Sequence, residues 1–384
     1  MKYTVLGAGM MGNAVAYDLS TYQPDAEIVL ADRDFALARK NALAIGKNVT
    51  PLELDVNNGV ELWATLQGSS AAVSAISYNV NYPVTLAAIE AGVPLCDLGG
   101  NMDVVRRQLE LDEKARSKNI TVVPNCGLAP GLAGILAVTG AREFEELDAI
   151  RMRVGGLPQN PQPPLNYQIV FSAEGLINEY VENSEAIRNG VRTSVQSMTE
   201  LEEISFPAPF GTLEAFHTSG GASMLPQMFE GRVKELDYKT IRYPGHCDKF
   251  RVLIELGFTD LEPIVLANLV KTRRELFAEL LQNKLSYNDK DLVLLRVTVS
   301  GTRHGCKATL AYELIDYYDE TTGMTAMMRT TAFPTSVIAQ MLAQGDITAK
   351  GVLLPEQCVP GDVLIKRLEQ RHIQISSVIE TASS

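Results

Sequence analysis

The chain has 384 residues, 46% of them hydrophobic, with 34 basic against 46 acidic side chains and a formal charge of −12. That length exceeds one ordinary core and predicts two domains, while the composition excludes a fibre, a disordered tail and a disulfide-rich secreted module. The acidic balance argues against nucleic acid or an anionic membrane as a partner, since both need a clustered positive surface.

In chain order, residues 1–125 alternate short β-branched runs (3–6, 27–31, 72–76 and 121–123) with stretches of helical spacing (13–20, 35–44 and 104–116). Strands alternating with helices of that length predict βαβ crossovers and a parallel sheet. After Arg151 the pattern changes. Alternating runs at 150–154, 292–299 and 308–316 predict a mostly antiparallel sheet, with a proline-rich loop at 158–164. A helix is predicted over 263–284, where Ile264, Leu266, Leu269, Val270, Leu276, Leu280 and Leu281 fall near one side. A last helix is predicted over 336–343, ahead of Gly345. The N-terminal run meets glycine after six residues, too few for a signal-peptide core, and no apolar run is long enough to predict a spanning helix.

Gly7-Ala8-Gly9-Met10-Met11-Gly12 follows the first predicted strand and opens the first predicted helix. The first glycine of such a turn permits its tightness. The second lets backbone approach a pyrophosphate, the third lets helix pack on strand, and the helix N-terminus at Met10 and Met11 offers N–H groups to the phosphates. Asp32 lies twenty residues beyond Gly12, at the end of the run EIVLAD. A carboxylate there accepts hydrogen bonds from the ribose hydroxyls of NAD, and it could also cap the helix at 35–44. Arg33 could instead hold a 2′-phosphate, which Asp32 would repel, so NAD is expected rather than NADP.

Five scattered cysteines (Cys96, Cys126, Cys247, Cys306 and Cys358) form no CxxC pair, which reads as reduced thiols of a cytoplasmic enzyme. No HExxH and no cysteine–histidine cluster at ligand spacing is present, so no metal is expected. Open parallel sheets bind ligands beyond the carboxyl ends of their strands. Ser77-Tyr78-Asn79, Cys96-Asp97 and Asn125-Cys126 fall at such ends.

Eight further segments carry a family resemblance. They are Leu54-Asp55-Val56-Asn57, Asp97-Leu98-Gly99-Gly100-Asn101, Gly127-Leu128-Ala129-Pro130-Gly131, Val154-Gly155-Gly156-Leu157-Pro158, Gly175-Leu176-Ile177-Asn178-Glu179-Tyr180, Tyr238-Lys239-Thr240-Ile241-Arg242-Tyr243-Pro244-Gly245-His246, Met328-Arg329-Thr330-Thr331-Ala332-Phe333-Pro334 and Gly351-Val352-Leu353-Leu354-Pro355-Glu356. In that order the chain resembles the saccharopine dehydrogenase superfamily and, within it, is most similar to the lysine 6-dehydrogenases. One segment departs: the Gly-Leu-Asp-Pro-Gly of the reductases has Ala129 in place of its acid.

The resemblance implies a Rossmann domain of residues 1–125 completed by 330–384, with a mixed α/β substrate-binding and dimerisation domain inserted over 126–329. It places Asp55, Val56, Ser77 and Asn79 beside the cofactor, and aligns Tyr78, Asp97 and Cys126 with active-site positions. The implied reaction is NAD-dependent oxidative deamination of L-lysine at its ε-carbon, giving 2-aminoadipate 6-semialdehyde, NADH and ammonia. Such a reaction needs a neutral amine, a polar neighbour for the developing iminium and an anchor for the far end of the substrate. Asp97 is the first choice for the iminium-facing carboxylate or proton acceptor, with Cys126 as a small wall beside the nicotinamide and Asn125 against the substrate. Arg242 is the leading carboxylate anchor because its planar fork suits one, followed by His246 and His217, with Arg329 a further possibility.

Two other classes stay open. A saccharopine-type or carboxynorspermidine-type reductase would join an amine to an aldehyde with NAD(P)H. A non-catalytic nucleotide-sensing protein could use the same fold. The expected partners are a small-molecule substrate, lysine or a related amine, and further copies of the chain in a homodimer or higher homo-oligomer.

Overall fold

Six short strands near the N-terminus, β1 (Lys2–Leu6), β2 (Glu27–Asp32), β3 (Val49–Glu53), β4 (Ala71–Ser74), β5 (Leu95–Asp97) and β6 (Thr121–Val123), are nearly all apolar and mostly buried. Runs of that kind suit strands covered on both faces. The structure, a computed structural model, describes residues 1–169, 172–266, 269–287 and 289–381, with backbone alone at 265–266 and 269–270. It divides into two units, Met1–Thr139 with Met328–Gln374, and Gly140–Met327 with Ile375–Ser384.

In the first unit the six strands and the short strand Gly351–Val352 form one parallel sheet in the order Gly351–Val352, β6, β5, β4, β1, β2, β3. The order reverses between β1 and β4, which is the switch point where such sheets take ligands. Helix α1 (Met10–Tyr22) follows β1, and α2 (Phe35–Ile45) follows β2 with Asp34 as its N-cap, its Oδ1 accepting the Leu37 N–H at 3.0 Å. The helical stretch expected over 104–116 is two helices, Met102–Leu109 and Asp112–Ser117. The break turns Asp112 toward Val352, whose N–H its carboxylate accepts at 3.0 Å.

The two ends of the sequence meet inside this unit at a buried charge. Asp18 on α1 has no exposed surface and accepts from Arg371 Nε at 2.7 Å, Arg371 Nη2 at 3.0 Å, Ser336 Oγ at 2.6 Å and Gln340 Nε2 at 3.2 Å. Burial pushes the Asp18 carboxyl above its usual range, and Arg371 pulls it back. Ser336 and Gln340 lie on the helix Ala326–Gln344, which begins ten residues before the predicted start.

The second unit is built on a mixed sheet. Its strands β7 (Glu146–Pro158), β8 (Ser184–Arg188), β9 (Val191–Val195), β10 (Glu202–Phe206), β11 (Gly211–His217) and β12 (Val233–Arg242) combine with Asp291–Arg303, Cys306–Tyr317 and Ile375–Thr381. The order is β10, β11, β12, β7, Asp291–Arg303, Cys306–Tyr317, Ile375–Thr381, with β8 beside β12 and β9 beside β8; among the described residues only β12 and β7 run parallel. The sheet curls, so that β10 folds back over its middle. The Arg296 Nη2 donates to the Ser205 carbonyl at 2.9 Å, and its guanidinium lies 4.4 Å over the Phe206 ring. Leu157, Leu213, Ile241, Leu292 and Leu294 fill the curl. On the other side Leu176, Tyr180, Phe216, Phe250, Phe277 and Leu281 form a second core among the helices Ala173–Val181, His246–Glu255 and Arg273–Leu285.

Two expectations need correction here. The segment 375–381 does not complete the Rossmann sheet: it pairs antiparallel with Cys306–Tyr317, Ile375 opposite Leu314. The segment 263–284 is not one helix. A hairpin, Pro263–Leu266 with Leu269–Thr272, precedes the helix Arg273–Leu285. Thr272 starts that helix with a capping box, its Oγ1 accepting the Glu275 N–H at 3.0 Å while Glu275 Oε2 accepts the Thr272 N–H at 2.7 Å. Residues 267–268, and the side chains of Leu266, Leu269 and Val270 used in that expectation, lie outside the described residues. Among the described residues no helix is long and apolar enough to cross a membrane.

Candidate functional site

The glycine turn of the first unit is shaped for a diphosphate. Gly7 sits at φ +98° with its N–H donating to the Ala31 carbonyl at 2.7 Å, and a Cβ there would stand 2.6 Å from the Ala75 oxygen. A Cβ at Gly12 would meet the Gly7 oxygen at 1.8 Å, whereas at Gly9 nothing lies within 4 Å. The turn is thus closed on its protein side and open where a ligand would approach. Gly9 caps α1 without a side-chain bond and no acid sits in the first turn, so the N-terminal N–H groups at Met10 and Met11 keep their positive end for an anion. These residues fit a dinucleotide.

Asp32, half-buried, accepts from the Ala8 N–H at 2.6 Å through Oδ2 and from the Asp34 N–H at 2.9 Å through Oδ1. It braces the glycine turn, and the capping of α2 belongs to Asp34 instead. Arg33 is exposed. Asp55, also exposed, accepts from the Asn57 N–H at 3.0 Å and side-chain amide at 2.9 Å, bonds that hold its carboxyl below the usual range. Val56 is half-buried against the core. Beyond β4, Ser77 and Asn79 are exposed and joined by a 3.3 Å hydrogen bond, with the half-buried Tyr78 between them.

The carboxyl ends of β5 and β6 differ from expectation. Asp97 has no exposed surface, and its oxygens accept from Gly99 N–H at 2.7 Å, Asn125 N–H at 3.1 Å and Gln108 Nε2 at 2.7 Å. Burial raises its pKa, while those donors favour the charged form. With three donors on its oxygens and no surface of its own, Asp97 ties two loops together and does not face a substrate. Cys126 is likewise wholly buried, its thiol donating to the Val123 carbonyl at 3.2 Å. Burial, then the neighbouring Cys96, push that thiol well above its usual pKa. It is packing rather than a wall beside a cofactor. Asn125, at φ +63° and fully buried, donates its N–H to Asp97 and brings its side-chain amide to the Met102 sulfur at 3.6 Å. Of the three residues expected at the chemistry, Tyr78 alone keeps exposed surface.

In the second unit the segment Tyr238-Lys239-Thr240-Ile241-Arg242 alternates between the two faces of β12, as strand residues must. One face joins a network of charged side chains, buried at Arg153, Asp237 and Lys239 and reaching the surface at Glu200. Arg153 pairs with Glu202 and, at 2.6 Å, with Asp237, and Lys239 pairs with Glu202 at 2.8 Å. Arg188 Nη2 stands 2.7 Å from Glu200, 3.2 Å from Asp237 and 3.2 Å from His217 Nε2. His217, fully buried, also meets Glu200 at 3.0 Å. Burial lowers its pKa despite Glu200, so it is a neutral member of this network and not a substrate anchor. Glu200, His217 and Asp237 have the residue types of a metal site, but the Arg188 guanidinium already holds the position among them.

The other face presents Arg242, 3% exposed at the end of β12. Its Nε donates to Tyr180 Oη at 2.8 Å, its Nη1 donates to the Ile241 carbonyl at 2.9 Å, and its guanidinium lies 4.6 Å over the Tyr167 ring. The Tyr180 hydroxyl lies 3.0 Å from His246 Nε2, and His246 Nδ1 lies 2.9 Å from the Leu165 carbonyl. A carbonyl only accepts, so Nδ1 carries the proton and Nε2 accepts a hydrogen bond from the Tyr180 hydroxyl. Burial and the Arg242 charge push the His246 pKa down to about 3. His246 is therefore neutral and orients Tyr180; it is not a charged anchor. Arg242 Nη2 has no protein acceptor among the described residues. Arg329, in the first unit, donates to the His372 carbonyl at 3.3 Å. Gln108, Tyr167 and Tyr180 had no assigned role in the sequence; Tyr180 lay inside a quoted segment, whereas nothing local marked the other two.

Two family models cover nearly the whole chain: the saccharopine dehydrogenase NADP binding domain over residues 3–123 and the saccharopine dehydrogenase C-terminal domain over 127–373. The chain is 22% identical to the saccharopine dehydrogenase [NADP(+), L-glutamate-forming] of Pyricularia oryzae, across 90% of this chain and 92% of that protein. It is 23% identical to the mitochondrial alpha-aminoadipic semialdehyde synthase of Mus musculus, across 92% of this chain but 45% of that protein, so it spans less than half of the mammalian relative. A carboxyaminopropylagmatine dehydrogenase of Synechocystis is 22% identical across 95% of this chain and 94% of that one. Among solved structures, the apo saccharopine dehydrogenase (L-Glu forming) of Saccharomyces cerevisiae superposes with a TM-score of 0.82 at 18% identity, over the full length of both chains, which shows the shared fold.

Proposed function

The chain belongs to the saccharopine dehydrogenase family, an oxidoreductase family with a pyridine-nucleotide-binding domain, and on that basis we propose that it oxidises L-lysine at the ε-carbon with NAD. In the balanced reaction, lysine, NAD⁺ and water give 2-aminoadipate 6-semialdehyde, NADH, ammonium and a proton. The observation that carries the reading is the cation count around Arg242. Its neighbours are Tyr167, Tyr180 and a neutral His246, and the other buried cations on β12 and β7, Lys239 and Arg153, are spent on Glu202 and Asp237. One guanidinium with a free edge suits a substrate with one carboxylate; a substrate with several carboxylates needs several such groups.

When bound, the nicotinamide ring accepts the hydride. The chain's own part is positional. Gly7, Gly9, Gly12 and the α1 N-terminus hold the diphosphate, and Asp32 receives the ribose hydroxyls. Asp97 fixes the loops after β5 and β6 through Gly99 and Asn125. Arg242, stiffened by Tyr180 and His246, anchors the α-carboxylate. Support for NAD is the Asp32 carboxylate, which disfavours a 2′-phosphate. Against it stand the NADP(+)-linked saccharopine dehydrogenase among the relatives and Arg33 beside Asp32, able to pair with that phosphate.

The relatives favour a second reading, a reductase that joins an amine to an aldehyde. One assay separates the two: NADH production from L-lysine with and without 2-oxoglutarate, alongside ammonia release. Ammonia and NADH in equal amounts without a keto acid support lysine oxidation. A reaction that advances only with 2-oxoglutarate overturns it.

A further inference from the structure

The outer strand of a sheet exposes a row of N–H and C=O groups that can pair with another chain, and proteins block such rows. The outer strands of the two large sheets are blocked here, each by its own device. In the first sheet β3 contains Pro51, which has no N–H to offer. The strand Gly351–Val352 is only two residues long and donates the Val352 N–H to Asp112 Oδ1 at 3.0 Å. In the second sheet the Ser205 carbonyl of β10 accepts from Arg296 Nη2 at 2.9 Å, and the Arg192 N–H of β9 donates to Glu230 Oε1 at 3.1 Å.

The strand Ile375–Thr381 is the exception. It ends the second sheet beside Cys306–Tyr317 and pairs with it along seven residues without a register shift. Its sequence, ISSVIET, contains no proline, glycine or basic residue. Alternate residues of an antiparallel strand turn both N–H and C=O away from the neighbouring strand. Among the described residues no side chain or loop bonds to that outward row. Every residue after Ile375 is exposed, Val378 at 57% and Ile379 at 42%. A long unguarded edge carrying two exposed aliphatics is what the other outer strands avoid.

The sequence of the strand fits a second copy of itself. Antiparallel pairing across a two-fold axis can set Val378 against the partner subunit's Val378 and Ser376 against the partner subunit's Glu380. Ser376, Val378 and Glu380 alternate onto one face of the strand. An aliphatic pair is then flanked on both sides by a hydroxyl facing a carboxylate. In this register no carboxylate meets another, which matters for a chain of net charge −12. The Ser376 hydroxyl can turn to the acid, since its bond to the Glu313 carbonyl is a long 3.4 Å.

We propose that the strand Ile375–Thr381 pairs with the same strand of a second copy, joining the mixed sheets of two chains into one continuous sheet across a two-fold axis. Main-chain hydrogen bonds supply the association, and the alternating side chains set the register. The contact lies in the C-terminal segment, outside the inserted residues 126–329 from which a dimer was expected. It does not depend on which substrate the chain oxidises.

Sedimentation velocity of the full chain at micromolar concentration tests the pairing. The wild type is expected at twice the chain mass. Val378→Lys sets two ammonium groups face to face across the axis, at a position already exposed, and should return the chain to single mass with its circular dichroism unchanged. Val191→Lys, on the blocked strand β9 and at a residue 60% exposed, should keep the double mass. Val378→Cys in a Cys306→Ser background, treated with oxidised glutathione, should give a two-chain band that reductant removes, since opposed Cβ atoms stand about 5 Å apart. Should Val378→Lys fail to fold, the crosslink decides. A wild type of single chain mass overturns the proposal. So does a double mass that survives Val378→Lys, is lost equally in Val191→Lys, or gives no Val378→Cys crosslink.

Discussion

Two buried charges, Asp97 in the first unit and Arg242 in the second, have opposite surroundings. Asp97 is met by three donors and has no surface, whereas Arg242 donates through Nε and Nη1 and keeps its Nη2 edge without an acceptor among the described residues. Both are buried, yet only Arg242 is left with capacity for a ligand. A buried charge marks a functional group only when its hydrogen-bonding capacity is unspent; a satisfied one holds the fold. Asp18, also buried and enclosed by Arg371, Ser336 and Gln340, falls with Asp97.

The comparison breaks most visibly through the satisfied acids. Arg371→Ala leaves Asp18 charged and uncompensated and should cost about 3–5 kcal/mol of stability in urea unfolding. Asp97→Ala orphans the Gly99 and Asn125 N–H groups and should cost about 2–4 kcal/mol. A loss of activity in that variant with stability unchanged would return Asp97 to a chemical role. Arg242→Ala should raise the KM for lysine by about tenfold to a hundredfold and spare dinucleotide affinity, since Arg242 and the glycine turn belong to different units. Asp32→Ala should weaken NAD more than NADP in calorimetry, and an equal loss would remove Asp32 from the ribose.

The pH dependence sharpens the contrast further. Because burial raises the Glu179 carboxyl to about 7, above the ordinary 4.5, the folded state binds the extra proton between those values. Stability from this group falls as pH rises from about 4.5 to about 7, and Glu179→Gln should flatten that part of the profile. Glu356, buried and also raised to about 7, contributes in the same window, so the difference between variant and parent is the quantity to read. The smallest effect is at His246, which should stay neutral with its proton on Nδ1 throughout pH 5–9 by ¹⁵N NMR.

Much of the first unit was legible in the sequence because its signals are local. A glycine turn between strand and helix, and an acid at the end of the next strand, are fixed by residues a few positions apart. Arg242 was legible as a cation in a shared motif. What escaped depended on distant partners. The strand at 375–381 is defined by pairing with 306–317, and an apolar run such as 263–271 satisfies a helical stripe and a hairpin alike until the Thr272 capping box is weighed. Asp97 and Cys126 carry the residue types of an active site, but neither motif nor position discloses that Gln108 and the Val123 carbonyl have already taken their hydrogen-bonding groups.

The central claim is that hydride leaves the ε-carbon of lysine. L-lysine deuterated at that carbon, incubated with the enzyme and NAD⁺, tests it directly by NMR of the reduced nucleotide. Deuterium at the nicotinamide C4 is the predicted result. Unlabelled NADH, or label transferred only from lysine deuterated at the α-carbon, would contradict it.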